Sequence, residues 1–223
     1  MQSRTLARST STAFLLAGTS LALWTTIHPW GHVDGAHIGS SGQWILSHSF
    51  HFTAGLALLF AVAGLAAQRM GRAARFETAA LVTAFTGAAL FTGTGLFTAY
   101  VWPVLAVHAP VLVAADGPIF GAPHPLIPLS GLVFCSGLIL LATALRRARV
   151  IPFGAAAATI AGAVLLLVPP APMSPAPWVL LFVAGPLAGL GVAWTGWMVR
   201  AGAVAASTTP ASAATPTIEP ARA

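Results

Sequence analysis

Six long, nearly continuous runs of apolar residues divide the chain, and short stretches with arginine, proline or glycine separate them. A helix needs about 20 mostly apolar residues to cross the hydrocarbon core of a bilayer. The runs therefore predict six membrane-spanning helices, at residues 10–27, 44–68, 77–100, 126–145, 150–168 and 178–199. Membrane β-strands alternate apolar and polar residues over about ten positions, and these runs do not. The predicted fold is an all-α, polytopic transmembrane helix bundle.

The pattern also divides the chain into two parts. Residues 1–200 hold all six runs and form the predicted transmembrane domain. Residues 201–223 are rich in Ala, Thr, Ser and Pro and show no apolar period. Such a segment cannot bury enough apolar surface to fold, so we expect a disordered cytoplasmic tail.

Composition supports a lipid environment. Only 6% of the residues are charged and 57% are hydrophobic, whereas soluble domains carry about 25% charged residues. The formal net charge of +6 comes from arginine alone. These arginines lie in short clusters between apolar runs rather than on one basic face, which argues against nucleic acid as a partner. The expected partners are the lipid bilayer and either another membrane protein or a second copy of the chain.

The arginines also predict orientation, because short cytoplasmic loops retain positive residues. With the N-terminus inside, six crossings place every arginine in the cytoplasm and put Asp34 and Asp116 outside. Both termini are then cytoplasmic. A cleaved signal peptide is the alternative for the first run, although no clean small-x-small cleavage site precedes Trp24; cleavage would remove the first helix and leave the other five oriented as before. The arginines on the predicted inner side are Arg4, Arg8, Arg69, Arg72, Arg75, Arg146, Arg147, Arg149, Arg200 and Arg222.

Small residues recur every fourth position on three of the predicted helices. Helices in lipid associate through close backbone approach at such residues. We therefore expect the following rows to lie at helix–helix interfaces: Gly185, Gly189 and Ala193; Gly154, Ala158 and Gly162; Ala80, Ala84 and Ala88.

All seven histidines fall at or near the predicted outer side. Imidazole is the commonest metal ligand, and three or four nitrogen and oxygen ligands suit Zn or Cu(II). His28 ends the first helix, and His48 and His51 are three apart on one face of the second. The candidate metal ligands are His32, Asp34, His37, His48, His51, His108 and His124.

Other interpretations of these histidines stay open. Half-polar rings suit a membrane interface without any function, the spacing matches no strict zinc motif, and Cys135 is the only cysteine. A pH-responsive outer surface is an alternative, because histidine titrates near physiological pH. A haem needs facing histidines on two helices, and only His48 and His51 are predicted inside a helix, so haem is disfavoured.

The leading functional hypothesis is an accessory or sensing membrane protein whose outer His/Asp surface meets metal, protons or a partner, without catalysis of its own. A second hypothesis is a metal-dependent hydrolase acting on lipid, with Asp34 or Asp116 as base and Ser47 nearby. A third is a small-solute transporter without proton coupling, because no charged residue falls near the predicted midplane. No catalytic residue is assigned.

Three stretches carry a resemblance: Trp44 to His48, Tyr100 to Leu105, and the arginine-rich turn from Leu145 to Pro152. Together with the hydropathy pattern, they resemble an uncharacterised family of multi-pass membrane proteins of high-GC bacteria. The resemblance covers most of the six-helix region but not the tail. It implies a bacterial cytoplasmic membrane and a similar helix count, and it carries no activity, cofactor or site residue.

Overall fold

A computed structural model gives the architecture and describes residues 2–29, 39–69, 71, 73–114, 117–119, 126–167 and 175–208. The described residues are helical and contain no strand. The helices are α1 (Gln2–Ile27), α2 (Gly42–Arg69), α3 (Arg75–Leu96), α4 (Trp102–His108), α5 (Pro110–Val113), α6 (Leu126–Arg147), α7 (Phe153–Leu166) and α8 (Pro175–Thr208). A π-helical segment, Phe97–Val101, joins α3 to α4.

The six longer helices pack in a closed ring. α1 packs against α2, α2 against α3, α3 against α6, α6 against α7, α7 against α8, and α8 returns to α1. Each of these helices therefore has two neighbours that cover its inward face. The outward face is left apolar, as expected for a bundle in lipid, with Phe60, Val82 and Phe153 among its exposed side chains.

Among the residues that the structure describes, four helical runs are long and apolar enough to cross a membrane: Gly42–Arg69, Arg75–His108, Ile127–Arg147 and Leu180–Gly202. These runs agree with four of the six predicted spans. α7 is apolar but only 14 residues long, which is about 21 Å of helix. α1 is long enough, but its first turns are rich in Arg, Ser and Thr. The described part of the chain is therefore all-helical, with four membrane-capable helices.

Several helix limits differ from those predicted. α7 covers residues 153–166 rather than 150–168, since Pro152 precedes its first turn. The third predicted span was expected to end at Tyr100, but the helical run continues to His108 through the π-helical segment. α8 extends to Thr208, eight residues into the predicted tail, and residues 209–223 lie outside the described part of the chain.

α1 and α8 approach each other closely at two facing glycines. A Cβ atom built on Gly18 would lie 2.5 Å from the backbone nitrogen of Ala193 and would also overlap the carbonyl oxygen of Gly189. A Cβ atom on Gly189 would overlap the Gly18 carbonyl and lie 3.0 Å from Ala22. Only glycine permits this approach, so the predicted row of Gly185, Gly189 and Ala193 does lie at a helix interface.

The two other small-residue rows also face neighbouring helices. On α7, a Cβ atom at Gly162 would lie 2.6 Å from the Cα atom of Ala188 in α8. On α3, Ala84 is buried and faces Gly137 of α6. A Cβ atom on Gly137 would lie 2.7 Å from the Cα atom of Ala84. At these positions the backbones of neighbouring helices are in direct contact.

The ring encloses a mainly apolar core that contains a small cavity of about 10 Å³, enough for about one water molecule. Phe14, Leu58 and Leu141 contribute its apolar wall, and Thr159 and Thr195 its polar atoms. Both threonine hydroxyls already donate to the carbonyl four residues earlier, at 3.0 Å.

A buried ion pair closes the end of the ring where α2 and α3 meet. Arg69, in the last turn of α2, binds both carboxylate oxygens of Glu77 in the first turn of α3, with Nη2 3.1 Å from Oε2. Glu77 is only 6% exposed. Glu77 is two residues from Arg75 in the sequence, but its ion-pair partner is Arg69 of the preceding helix.

Two helices end with a residue in the left-handed region, and they use different residues. Gly71 (φ 76°) follows α2, as is usual, because glycine adopts this conformation without steric penalty. Arg149 (φ 56°) takes this position after α6. There the amide of Arg149 donates to Arg146 and that of Val150 to Leu145, at 3.0 and 2.9 Å, which defines a Schellman motif. An arginine there costs about 1–2 kcal/mol relative to glycine.

We expect Gly189→Leu to lower the thermal stability of the purified protein, by about 1–3 kcal/mol or more, because its side chain would collide with the α1 backbone. The matched control is Gly93→Leu, since a Cβ atom at Gly93 meets nothing within 4 Å. Thermal unfolding in detergent gives the measurement. Equal stability of the two variants would contradict the Gly18–Gly189 contact.

Candidate functional site

Two capping contacts form where the end of α1 meets the start of α2, and one of them joins the two helices. The Gln43 side-chain amide donates to the carbonyl of Ile27, the last residue of α1, at 2.8 Å. Ser41 precedes α2, and its hydroxyl accepts the amide of Trp44 at 3.1 Å, as an N-cap serine does. Both contacts satisfy groups that a helix end leaves without an intrahelical partner. The bond from Gln43 to Ile27 holds the end of α1, and with it His28, next to the first turns of α2.

Three histidines meet at this junction, and we call His28, His48 and His51 the histidine cluster. The ring centroids of His28 and His48 are 5.0 Å apart, and those of His48 and His51 are 5.9 Å apart. His48 and His51 are 4% and 6% exposed. The three-residue spacing predicted that His48 and His51 share a face of α2, and the structure adds His28 from α1.

The proton position on His48 follows from its contacts. Nδ1 of His48 lies 3.0 Å from the carbonyl oxygen of Trp44. A carbonyl can only accept a hydrogen bond, so Nδ1 carries the proton and donates it. In the neutral ring, Nε2 is then the basic nitrogen. The Trp44 ring stacks on His48 at 4.0 Å and 29°, which fixes the plane of the imidazole.

His51 lies deeper in the bundle between aromatic rings. Its ring centroid is 4.5 Å from that of Trp24 and 4.0 Å from that of Phe91. Phe91 in turn stacks on Phe134 of α6 at 3.8 Å. Neither ring nitrogen of His51 has a partner in hydrogen-bond geometry, although the Phe91 backbone interacts with it electrostatically. A buried polar group with incomplete bonding is destabilising, and such a group is a common feature of functional sites.

His28 lies just beyond the last residue of α1 and differs from the other two in burial. Part of its surface is accessible, but Nδ1 is buried. This burial, and then the neighbouring rings of His48 and His51, lowers the pKa of His28 well below its usual value of 6.5. The packed cluster therefore favours neutral rings.

Trp44 links the histidine cluster to the π-helical segment. In that segment the amide of Trp102 donates to the carbonyl of Phe97, five residues earlier. The next amide in this pattern belongs to position 103, and its acceptor is the carbonyl of Thr98. Pro103 has no N–H, so that carbonyl loses its helical donor. The indole N–H of Trp44 donates to it instead, at 2.8 Å.

The predicted metal ligands divide into three groups. His48 and His51 are buried in the cluster, and His108 is exposed at the end of α4. His32, Asp34, His37 and His124 lie outside the described residues, as does Asp116. Among described residues, no three His, Cys, Asp or Glu side chains form a group that could hold a metal ion. The metal site therefore stays a prediction.

Two parts of this site were not predicted from the sequence. His28 was recognised as ending α1 but was not joined to His48 and His51, because its position depends on the Gln43 cap. The bond from Trp44 to Thr98 was also not predicted. Its signal is present in the sequence: Trp102 and Pro103 interrupt an otherwise helical run, and a proline inside a helix leaves a carbonyl without its donor.

No protein-family model matches this chain significantly, and neither does any curated protein or any solved structure.

We expect Trp44→Phe to destabilise the fold by about 1–3 kcal/mol, because it leaves the buried Thr98 carbonyl without a donor. Pro103→Ala restores a backbone N–H at the position that can bond to this carbonyl. The destabilisation by Trp44→Phe should therefore be smaller in the Pro103→Ala background, and a double-mutant cycle on thermal stability measures this coupling. Additive effects would show that Trp44 contributes only packing.

Proposed function

We propose that this chain is a multi-pass protein of a bacterial cytoplasmic membrane that crosses the bilayer six times, with both termini inside. The closed ring supports this proposal, because α1 and α7 occupy places in it equivalent to those of the four membrane-capable helices. The one-sided arginines support the orientation.

The function that the geometry supports best is that of an accessory or sensing protein whose histidine cluster detects protons at the outer face. One observation carries this proposal: three imidazoles from two helix ends are packed within 5.0 to 5.9 Å along the series His28, His48, His51. A neutral cluster is compatible with this packing. Protonation of one ring would place a positive charge in a buried setting, and protonation of a second ring would add repulsion between the two charges. Both effects are unfavourable.

The surroundings of the cluster supply no described counter-charge. Glu77 is the one carboxylate among the described residues, and it lies at the opposite end of α3, bound to Arg69. The groups packed on the cluster are neutral: Trp24 from α1, Trp44 from α2 and Phe91 from α3. None of these three side chains titrates, so the three imidazoles are the titratable groups at this junction among the described residues. Protonation must then be relieved by opening of the junction between α1 and α2.

Trp44 gives a route by which such opening reaches the rest of the bundle. Its ring covers His48, and its indole N–H holds the carbonyl of Thr98 in the π-helical segment. π-helical segments inside helices are frequent at functional sites. Displacement of Trp44 would release the Thr98 carbonyl and alter this segment. A membrane partner that contacts the outer end of α3 or α4 could then recognise the change.

We expect the thermal stability of the protein in nanodiscs to be retained above about pH 6.5 and to fall as the pH drops below that value. The packed state lowers the pKa of His28, so the open state binds protons more readily and gains in stability at low pH. Intrinsic fluorescence of Trp24 and Trp44 should change over the same range. His51→Phe keeps a ring between Trp24 and Phe91 but cannot titrate, so it should reduce both responses.

His108→Gln is the matched control, because His108 is exposed and lies away from the cluster, at the end of α4. An unchanged pH response after replacement of all three cluster histidines would refute proton sensing. Elemental analysis of the same preparations separates the metal alternative. Stoichiometric Zn or Cu that is lost in a His48→Ala, His51→Ala double variant would identify a metal site instead.

The six-crossing topology has its own test. In a Cys135→Ser background, a cysteine at exposed Gly42 should react with an impermeant thiol reagent on intact cells. A cysteine at exposed Ala148 should react only after the membrane is permeabilised. Labelling of both positions from outside would contradict the proposed arrangement of α2 to α6.

A further inference from the structure

A second cluster of charged side chains lies at the opposite end of the ring from the histidines, and we call Arg75, Arg146, Arg147 and Arg149 the basic cluster. Arg75 begins α3, Arg146 and Arg147 end α6, and Arg149 belongs to the turn before α7. All four side chains are exposed. Since α3 and α6 are neighbours in the ring, the cluster belongs to two adjacent helix ends.

A contact between Arg147 and the Phe76 ring fixes part of the basic cluster. The guanidinium carbon of Arg147 lies 4.7 Å from the centroid of the Phe76 ring, a cation–π contact that joins the end of α6 to the start of α3. Phe76 follows Arg75 directly, so the contact holds both arginines at one edge of the interface. The nearby carboxylate of Glu77 is bound by Arg69. No described carboxylate neutralises the cluster.

The backbone of Arg149 is the second, independent observation. Its left-handed conformation favours glycine, and the chain does use glycine for the corresponding turn after α2, at Gly71. The turn after α6 is otherwise an ordinary Schellman motif, with both of its hydrogen bonds formed. The Cβ atom of arginine strains the turn at this position, and both hydrogen bonds of the motif are made by backbone atoms rather than by the Arg149 side chain. Strain of this kind points to a function for the side chain that causes it.

We propose that the basic cluster binds the phosphate of an anionic phospholipid headgroup, with Arg147 and Arg149 as the main ligands and Arg75 at the edge. Arginine is suited to this task because its planar fork binds phosphate oxygens in pairs. Phe153, the first residue of α7, is 72% exposed beside the turn and offers an apolar surface for the glycerol and acyl region of the lipid. The inference rests on membrane insertion and is independent of the histidine cluster.

The test compares the full chain in nanodiscs of phosphatidylcholine alone with nanodiscs that also contain phosphatidylglycerol. We expect phosphatidylglycerol to raise the melting temperature and to be retained on the protein in native mass spectrometry. Arg147→Gln should lower this retention by about fivefold, the effect of one arginine near an anionic surface. Arg200→Gln is the matched control, because it removes one exposed arginine from α8, which packs on α1 and α7 rather than on α3 or α6.

Arg149→Gly should raise the melting temperature in phosphatidylcholine but lower the stabilisation that phosphatidylglycerol adds. It relieves the strained turn, so the variant should melt higher than the natural protein in phosphatidylcholine. It should nevertheless gain less from phosphatidylglycerol. An equal loss of retention in Arg147→Gln and Arg200→Gln would overturn the proposal, since it would indicate uniform charge attraction. If inorganic phosphate stabilises the protein in phosphatidylcholine as well as phosphatidylglycerol does, the site binds soluble phosphate and the lipid assignment is wrong.

Discussion

The interior of a bilayer offers no water to bond a backbone group, and most polar contacts in this protein follow from that constraint. Threonines along the helices donate their hydroxyls to carbonyls three or four residues earlier, as Thr83, Thr92 and Thr143 do. Pro103 is the place where the helix cannot meet the requirement alone. Trp44 supplies the absent donor from another helix. This bond fixes the indole ring that stacks on His48.

The same constraint explains why glycine faces threonine across several interfaces. A threonine whose hydroxyl is bonded to its own helix presents a compact, satisfied surface to its neighbour. Glycine on the facing helix allows the backbone to approach that surface closely. The pairs are Gly55 with Thr92, Gly64 with Thr10, Gly185 with Thr25, and Gly191 with Thr159. Close packing and hydrogen bonding are thus achieved by the same residue pairs.

The sequence was most informative where one physical quantity dominates. Hydropathy located the helical runs, and the period of small residues located the α1–α8 interface at Gly189. It was less informative where a contact joins distant positions. The limits of α7 depend on Pro152, the partner of Glu77 depends on how α2 and α3 meet, and the place of His28 depends on Gln43. His48 and His51 could be paired from their spacing because both belong to α2, whereas no local pattern connects Trp44 with Thr98.

The two candidate sites share one structural element. The helical run from Arg75 to His108 is in contact with Trp44 at Thr98 and begins at the basic cluster, with Phe76 under Arg147. Coupling between two sites requires an element with two arrangements whose balance both sites influence. An α-helix has few such arrangements, but a π-helical segment holds one extra residue that can be absorbed or moved along the helix. Phe97–Val101 contains the Trp44 contact at Thr98 and lies next to Pro103, the one proline of the run. In the two proposals, a change at the histidine cluster therefore reaches this segment through Trp44, and lipid bound at the basic cluster anchors the start of the same helical run.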